Sequence, residues 1–310
     1  MKFELTVLGS SSALPTSTKF PSAHVLNVHE RFFLIDCGEG TQIQLRRSKI
    51  GFGKIDHIFI SHLHGDHIFG LYGILSTFQL LNRTKGLRIY GPTGTDRFVD
   101  FFLQNFGNEL PYAIDIQLIT KRAEQLVFED SVVEVWSFPL KHRVPAFGYL
   151  FREKPRPLNI LKDALETYRP GVKQIREIKN GADLQLENGG FIPNEKLTEP
   201  PYKQRSFAYC TDTMFYERNI PFLTGVDLLY HEATFAKADK KLAKITGHST
   251  TEQAATFAAR ANASQLLLGH FSSRYKKPDN LLDEALEIFS NTEIATELKT
   301  YSIEPERIKR

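Results

Sequence analysis

Four residues able to bind a metal fall within six positions: His62, His64, Asp66 and His67, in Ile60-Ser-His-Leu-His-Gly-Asp-His-Ile-Phe-Gly70. Imidazole and carboxylate suit borderline divalent ions, Zn2+ first, and the same donors accept Mn2+ or Fe2+. Alternation at 62 and 64 in an extended segment sends both imidazoles to one side. A turn at Gly65 then aims Asp66 and His67 at a second point close by. The stretch therefore reads as half of a two-metal site.

Other donors recur just after apolar runs. His142 lies in the loop Pro139-Leu-Lys-His-Arg-Val-Pro145, Asp212 follows residues 206–211, His231-Glu232 follows Asp227–Tyr230, and His270 follows Gln265–Gly269. Residues at strand ends on one edge of a sheet converge even when they are far apart in the chain. His62, His64 and His142 would give one ion three nitrogens. Asp66, His67 and His270 would serve a second, with Asp212 bridging, and each ion would keep an open position for water, as a catalytic site requires.

The elements that must hold these residues are legible as period-two and helical patterns. Strands are expected over 2–8, 23–28, 31–36, 55–61, 87–90, 206–211, 227–230 and 265–269, with more between 114 and 152. Helices are expected over 41–48, 68–81, 95–106 and 279–290, and Ser249 with Glu252 has the capping-box spacing that opens another. Asp66 and His67 would then sit at a helix N-terminus, which favours negative charge. The small-residue loop Gly9–Thr18 is either a plain connection or a loop near phosphate. Alternating strands and helices argue for an α/β layered architecture. At 310 residues, 41% hydrophobic and 24% charged, the chain has an ordinary globular composition, and its net charge of +3 names no partner. No run approaches the ~18 apolar residues that span a membrane. The start, Met1-Lys-Phe-Glu-Leu-Thr-Val7, has no basic segment followed by a long apolar one, and Cys37 and Cys210 are too few to staple the fold. A cytoplasmic protein in a reducing compartment is expected.

Residues 152–205 break the pattern. They carry six prolines and the turn signals Asn180-Gly181 and Asn188-Gly189-Gly190. From 152 to 179 there are eight Lys/Arg against four acids. One account is a solvated surface insertion; the sharper one is an electropositive arm that tracks a phosphate backbone through Arg152, Lys154, Arg156, Lys173, Arg176 and Lys179.

His-Leu-His-Gly-Asp-His after a strand is similar to the metallo-β-lactamase signature. With Asp36-Cys-Gly-Glu39, His231-Glu-Ala-Thr-Phe235, Gly247-His-Ser-Thr250 and His270-Phe-Ser-Ser-Arg-Tyr275, the whole chain resembles the short form of the ribonuclease Z family, the tRNA 3′-processing endonucleases. The resemblance implies an αββα sandwich of two mixed β-sheets flanked by helices, one domain over 1–310 with a flexible tRNA-binding arm inserted at 152–205. It implies two Zn2+ per subunit on His62, His64, Asp66, His67, His142, Asp212 and His270, and a homodimer whose arm grips precursor tRNA at the partner's site. Catalytic roles carry onto Asp66, His248 and Arg274. An imidazole titrating near neutrality suits His248 to protonate the leaving 3′-oxygen, and Glu232 is expected to hold that ring. The family's early P-x-K-x-R loop is here Pro15-Thr-Ser-Thr-Lys19-Phe20, with Lys19 in place of Arg, and the two bind phosphate differently. Tyr168-Arg-Pro-Gly171 is a partial match to the arm's Gly-Pro segment. A competing function on the same fold is hydrolysis of a small ester, lactone or sulfate ester, which would leave the basic arm unused. His24, His29 and His57 match no motif and are expected to be structural.

Overall fold

Large apolar side chains at alternate positions of the strands force two sheets face to face. In the computed structural model, which describes residues 1–107, 110–186, 189–275 and 279–308, each sheet has seven strands. Asn188, part of one expected turn, lies outside the described residues. The first sheet runs Thr300–Ser302, Phe3–Gly9, Ala23–Val28, Arg31–Cys37, Ile55–Phe59, Leu87–Pro92, Ile114–Ile119. It is antiparallel up to Arg31–Cys37 and parallel beyond it. The second runs Thr292–Ile294, Gln265–Gly269, Leu228–Glu232, Ser206–Cys210, Phe147–Glu153, Val133–Pro139, Gln125–Glu129. Its four strands from Ser206–Cys210 to Thr292–Ile294 are parallel, and both sheets are therefore mixed.

Between the sheets lies an aromatic layer of Phe33, Phe59, Tyr90, Tyr149, Phe151, Tyr209 and Tyr230. Rings this large fill the ~10 Å gap between facing sheets, as in the Phe59–Tyr90 stack at 4.4 Å. Helices cover both outer faces. Leu71–Leu80 buries Leu71, Ile74, Leu75 and Phe78, one stripe at i, i+3, i+4, i+7, against the first sheet. Thr251–Arg260 buries Ala254, Ala255, Phe257 and Ala258 against the second, its alanines allowing close approach. The αββα sandwich is the architecture that the sequence resemblance implies.

Two local expectations are corrected. The helix expected over 68–81 is split into Gly65–Ile68 and Leu71–Leu80. Gly70 causes the break, because its amide bonds the Cys37 carbonyl at 2.9 Å and any Cβ there would lie 2.1 Å from the Gly38 carbonyl oxygen. The capping box is Thr250 with Gln253, not Ser249 with Glu252. Ser249 instead donates to the Thr213 carbonyl at 2.6 Å, so its hydroxyl holds a loop and cannot cap.

Residues 153–205, with the tail from 304, form a second compact unit. It contains the helices Lys162–Tyr168 and Val172–Lys179, two short two-stranded ladders, and its own small core of Ala164, Ile178, Leu184 and Leu197. The tail joins it through Lys203 N–H to the Glu306 carbonyl at 2.7 Å and through Arg307 stacked over Tyr202. Its first and last inserted residues close the neck. Buried Glu153 accepts from the Arg205 amide at 3.0 Å and from its guanidinium at 2.8 and 3.1 Å. Burial alone would raise the Glu153 carboxyl, but the hydrogen bonds from Arg205 outweigh it and hold it down at about 2.

Because this pKa is depressed below the ordinary 4.5, the stabilisation is fully present above about pH 4.5 and is lost as pH falls through about 2. Glu153→Ala leaves a buried guanidinium without this carboxylate, at a cost of about 3–5 kcal/mol. We expect limited proteolysis of that variant at pH 7 to cut first within 153–205; cutting at the wild-type rate would show that the pair does not hold the neck.

Candidate metal centre

The penultimate residue of the strand Arg31–Cys37 is Asp36, a non-glycine residue with φ +55° and no solvent exposure. The left-handed turn aims its carboxylate back between the sheets. There it accepts from the Ser61 amide at 2.7 Å, the Ser61 hydroxyl at 2.8 Å, the Tyr209 hydroxyl at 2.8 Å and His67 Nδ1 at 2.7 Å. Ser61 and His67 bracket the His/Asp stretch, so one buried carboxylate sets its course.

Three more imidazoles are tied in the same way through Nδ1. His62 meets the Ser61 hydroxyl at 3.0 Å, His142 the Gly247 carbonyl at 2.8 Å, and His270 the Thr234 hydroxyl at 2.9 Å. An acceptor at Nδ1 keeps the proton there and leaves Nε2 free as a lone-pair donor. His270 also has φ +59°, and the preceding Gly269 has no room for a Cβ, which would lie 2.2 Å from the Tyr230 hydroxyl. His64 precedes the one-turn helix Gly65–Ile68 and presents Nδ1, 3.0 Å from His62 Nε2 and 3.4 Å from His142 Nε2.

Two donor groups hold the expected ligands, His62, His64, His142 and Asp212 in one and Asp66, His67 and His270 in the other; a third group, Asp212, His248 and His270, overlaps them, and the donor atoms of each group lie within 4.8 Å of one another. Asp212 faces the first two. Its Oδ2 is 3.5 Å from His62 and 3.8 Å from His142, and its Oδ1 is 3.2 Å from His67 and 3.1 Å from His270. All seven residues expected as ligands are thus brought together at one end of the sandwich. Burial pushes the His62, His64 and His142 imidazoles towards the neutral form that can ligate a metal. At His67 burial has the same tendency, but Asp212, Asp66 and Asp36 outweigh it and raise the pKa. Buried carboxylates packed this densely call for positive charge. Neutral imidazoles, lone pairs facing inward and a two-faced carboxylate fit divalent cations.

Beside this cluster, His248 Nδ1 lies 2.9 Å from Glu232 Oε1, and its ring centre is 5.1 Å from that of His142 and 5.5 Å from that of His270. Burial lowers the His248 pKa, but the Glu232 carboxylate more than offsets this and carries it up to about 9. Glu232 itself is buried and held by the amides of Thr213 and Thr234 and by the Thr234 hydroxyl. Ala13 donates its amide to Asp66 Oδ2 at 2.8 Å, which brings the loop after Gly9 to the metal site. Glu297 anchors that loop by accepting from the Phe20 amide at 2.9 Å.

Other expected residues lie elsewhere. Arg274 is outside both donor groups; it stacks over Phe235 at 5.2 Å and pairs with Asp239 at 3.7 Å. His231 bonds the Glu232 carbonyl and packs on Phe257. Arg152 pairs with Glu134, Arg156 with Glu153 and Lys173 with Glu177, while Arg176 and Lys179 lie exposed in the last turn of their helix. Asp36, Thr234, Gly247 and Glu297 were not assigned from sequence. Asp36, Thr234 and Gly247 lie within the motifs that carry the family resemblance, and Glu297 lies outside them.

Two family models match parts of the chain: the anti-Pycsar protein Apyc1 over residues 3–96 and the beta-lactamase superfamily domain over 197–271. A ribonuclease Z of Bacteroides thetaiotaomicron is 46% identical over 296 residues, covering 96% of this chain and 94% of its own. One of Porphyromonas gingivalis is 46% identical over 295 residues, covering 95% and 97%. Among solved structures, the short form of human tRNase Z matches with a TM-score of 0.71 at 28% identity, over 97% of this chain and 99% of its own. With relatives this similar over nearly its full length, the chain belongs to the ribonuclease Z family.

Proposed function

We propose that this protein is a zinc-dependent endoribonuclease that removes the 3′ trailer from precursor tRNA, leaving a 3′-hydroxyl on the tRNA and a 5′-phosphate on the trailer. The observation that carries the mechanism is a proton donor beside a two-faced ligand cluster: His248, held by buried Glu232, next to the groups that share Asp212. His62, His64, His142 and Asp212 Oδ2 would hold one ion, and Asp66, His67, His270 and Asp212 Oδ1 the other. When bound, such a pair supplies a nucleophilic water at neutral pH and offsets charge in an in-line displacement at phosphorus. Asp66, its Oδ2 fixed by the Ala13 amide, orients that water and takes up its proton. The new P–O bond forms as the bond from phosphorus to the 3′-oxygen breaks. His248 gives its proton to the departing oxygen, and Glu232 keeps the ring charged until it does. Arg274, in an exposed ion pair of little strength, is free to turn from Asp239 to a phosphate oxygen.

The exposed cations Arg176 and Lys179, with Lys154 and Lys173, support the second unit as the tRNA-binding arm. A homodimer is supported by exposed apolar side chains on the helices covering the first sheet. Ile43, Phe69, Phe101 and Phe106 are each more than half exposed, and Tyr72 stacks on Phe98 at 4.3 Å beside Phe101 and Phe106. Apolar groups clustered in this way mark an interaction surface. No helix among the described residues is long and apolar enough to cross a membrane. Together with a tRNA precursor as substrate, this supports the cytoplasm as the compartment.

Zinc-loaded protein is expected to cut a 3′-extended precursor tRNA at the trailer junction and to stop when a chelator is added; an intact precursor would refute the function. Deleting residues 155–180 should raise KM for the precursor and spare hydrolysis of a small phosphodiester, whereas equal loss of both would count against the arm. His248→Ala should lower kcat by about 10²–10⁴-fold at unchanged metal content by atomic absorption; lost metal would recast the residue as structural. Sedimentation equilibrium should give twice the 35.4 kDa chain mass, and a single-chain mass would remove the dimer.

A further inference from the structure

His142 belongs to two places at once. It is a member of the first donor group, and it also lines a cavity of about 630 Å3. The walls are the segment from Pro139 to Phe147 together with Arg122, Tyr216 and Arg218. Four of the lining residues, Arg122, Lys141, Arg143 and Arg218, are exposed cations, and no carboxylate lines the cavity. None of the four is ion-paired among the described residues; Arg143 is held by the Ile245 carbonyl.

The loop that carries these charges is fixed at both ends and in the middle. Leu140 N–H bonds the Ala146 carbonyl at 2.9 Å, and Phe147 N–H bonds the Ser61 carbonyl at 3.0 Å. Lys141 N–H bonds the Thr213 hydroxyl at 3.0 Å, and Asn219 donates to the Pro139 carbonyl at 2.8 Å. The cavity is therefore pre-formed. Four unpaired cations in a concave site concentrate an anionic chain, and the half-buried Tyr216 ring offers a face on which a base can stack. The volume falls within the ~300–1,000 Å3 of small-ligand pockets, a size that suits splayed single-stranded nucleotides.

We infer that this cavity binds the single-stranded RNA immediately 3′ of the cleavage site, so that phosphates of the trailer are gripped as the scissile phosphate reaches the metal ligands. The inference rests on the RNA substrate proposed above. It makes Arg122, Lys141, Arg143 and Arg218 specificity-determining residues for trailer length, a role separate from that of the arm.

The test compares a precursor tRNA carrying a ten-nucleotide trailer with one carrying a single nucleotide, using the zinc-loaded protein and the double variant Arg122→Gln/Arg218→Gln. The ratio of kcat/KM for the long trailer to that for the short one should fall about tenfold in the variant. For the wild type, the dependence of log KM on log[salt] should be steeper for the long trailer by about 0.7 per phosphate held. The salt comparison needs no variant and stands if the double substitution unfolds. An unchanged ratio in a folded variant, or equal salt slopes for the two wild-type substrates, overturns the cavity's role. A wild type that cuts neither precursor overturns the proposed function instead.

Discussion

The Asp36 carboxylate, buried with no contact to water, is the constraint on which the active end of this molecule depends. An isolated buried carboxylate is costly, and hydrogen bonds from the surrounding protein must replace its hydration. Those bonds come from Ser61 and His67 on one side and from Tyr209, in a strand of the other sheet, on the opposite side. Satisfying one charge therefore joins the two sheets and orients a ligand at the same time. Tyr149, donating to the Ile60 carbonyl at 2.6 Å, adds a second link between the sheets at the same end.

From this point the site is built by strand endings. Cys37, Ile60, Cys210, Glu232 and Gly269 each close or follow a strand, and the residues beside them turn towards a shared centre. Two of those turns need unusual backbone. Asp36 and His270 both adopt left-handed conformations that side chains disfavour, and at His270 the Tyr230 hydroxyl leaves space only for glycine before it. Strain of this kind persists where neighbouring structure over-determines it, and here the neighbours are the two packed sheets.

Around the cluster His62, His67, His142 and His270 each have a partner at Nδ1 that fixes the proton, so their inward nitrogens are committed before any cation arrives. His248 differs from His62, His142 and His270. Like His67, which faces Asp36, it has a buried carboxylate at Nδ1 rather than a carbonyl or hydroxyl, and Glu232 raises its pKa to about 9. Burial thus favours the neutral form at His62, His64 and His142, whereas a buried carboxylate at Nδ1 favours the charged form at His67 and His248.

The candidate ligands were legible in the sequence, because His-x-His-x-Asp-His and the polar residues after apolar strands are local patterns, and local patterns survive without coordinates. Most strands and helices were legible for the same reason. Where prediction missed, a tertiary contact overrode a local preference. Gly70 breaks an apolar helical run because it docks against Gly38, and Ser249 yields the cap to Thr250 because Thr213 claims its hydroxyl. The insertion read as irregular because its core is four small contributions spread over some 30 residues, and nothing in its composition announces that Glu153 meets Arg205. Only the tertiary structure decided which face of Asp212 serves which group, that Asp36, Thr234 and Gly247 set the imidazoles, that Arg274 rests on Phe235, and that four cations gather beside His142. Those relations depend on distances between residues far apart in the chain, which packing of the two sheets alone can set.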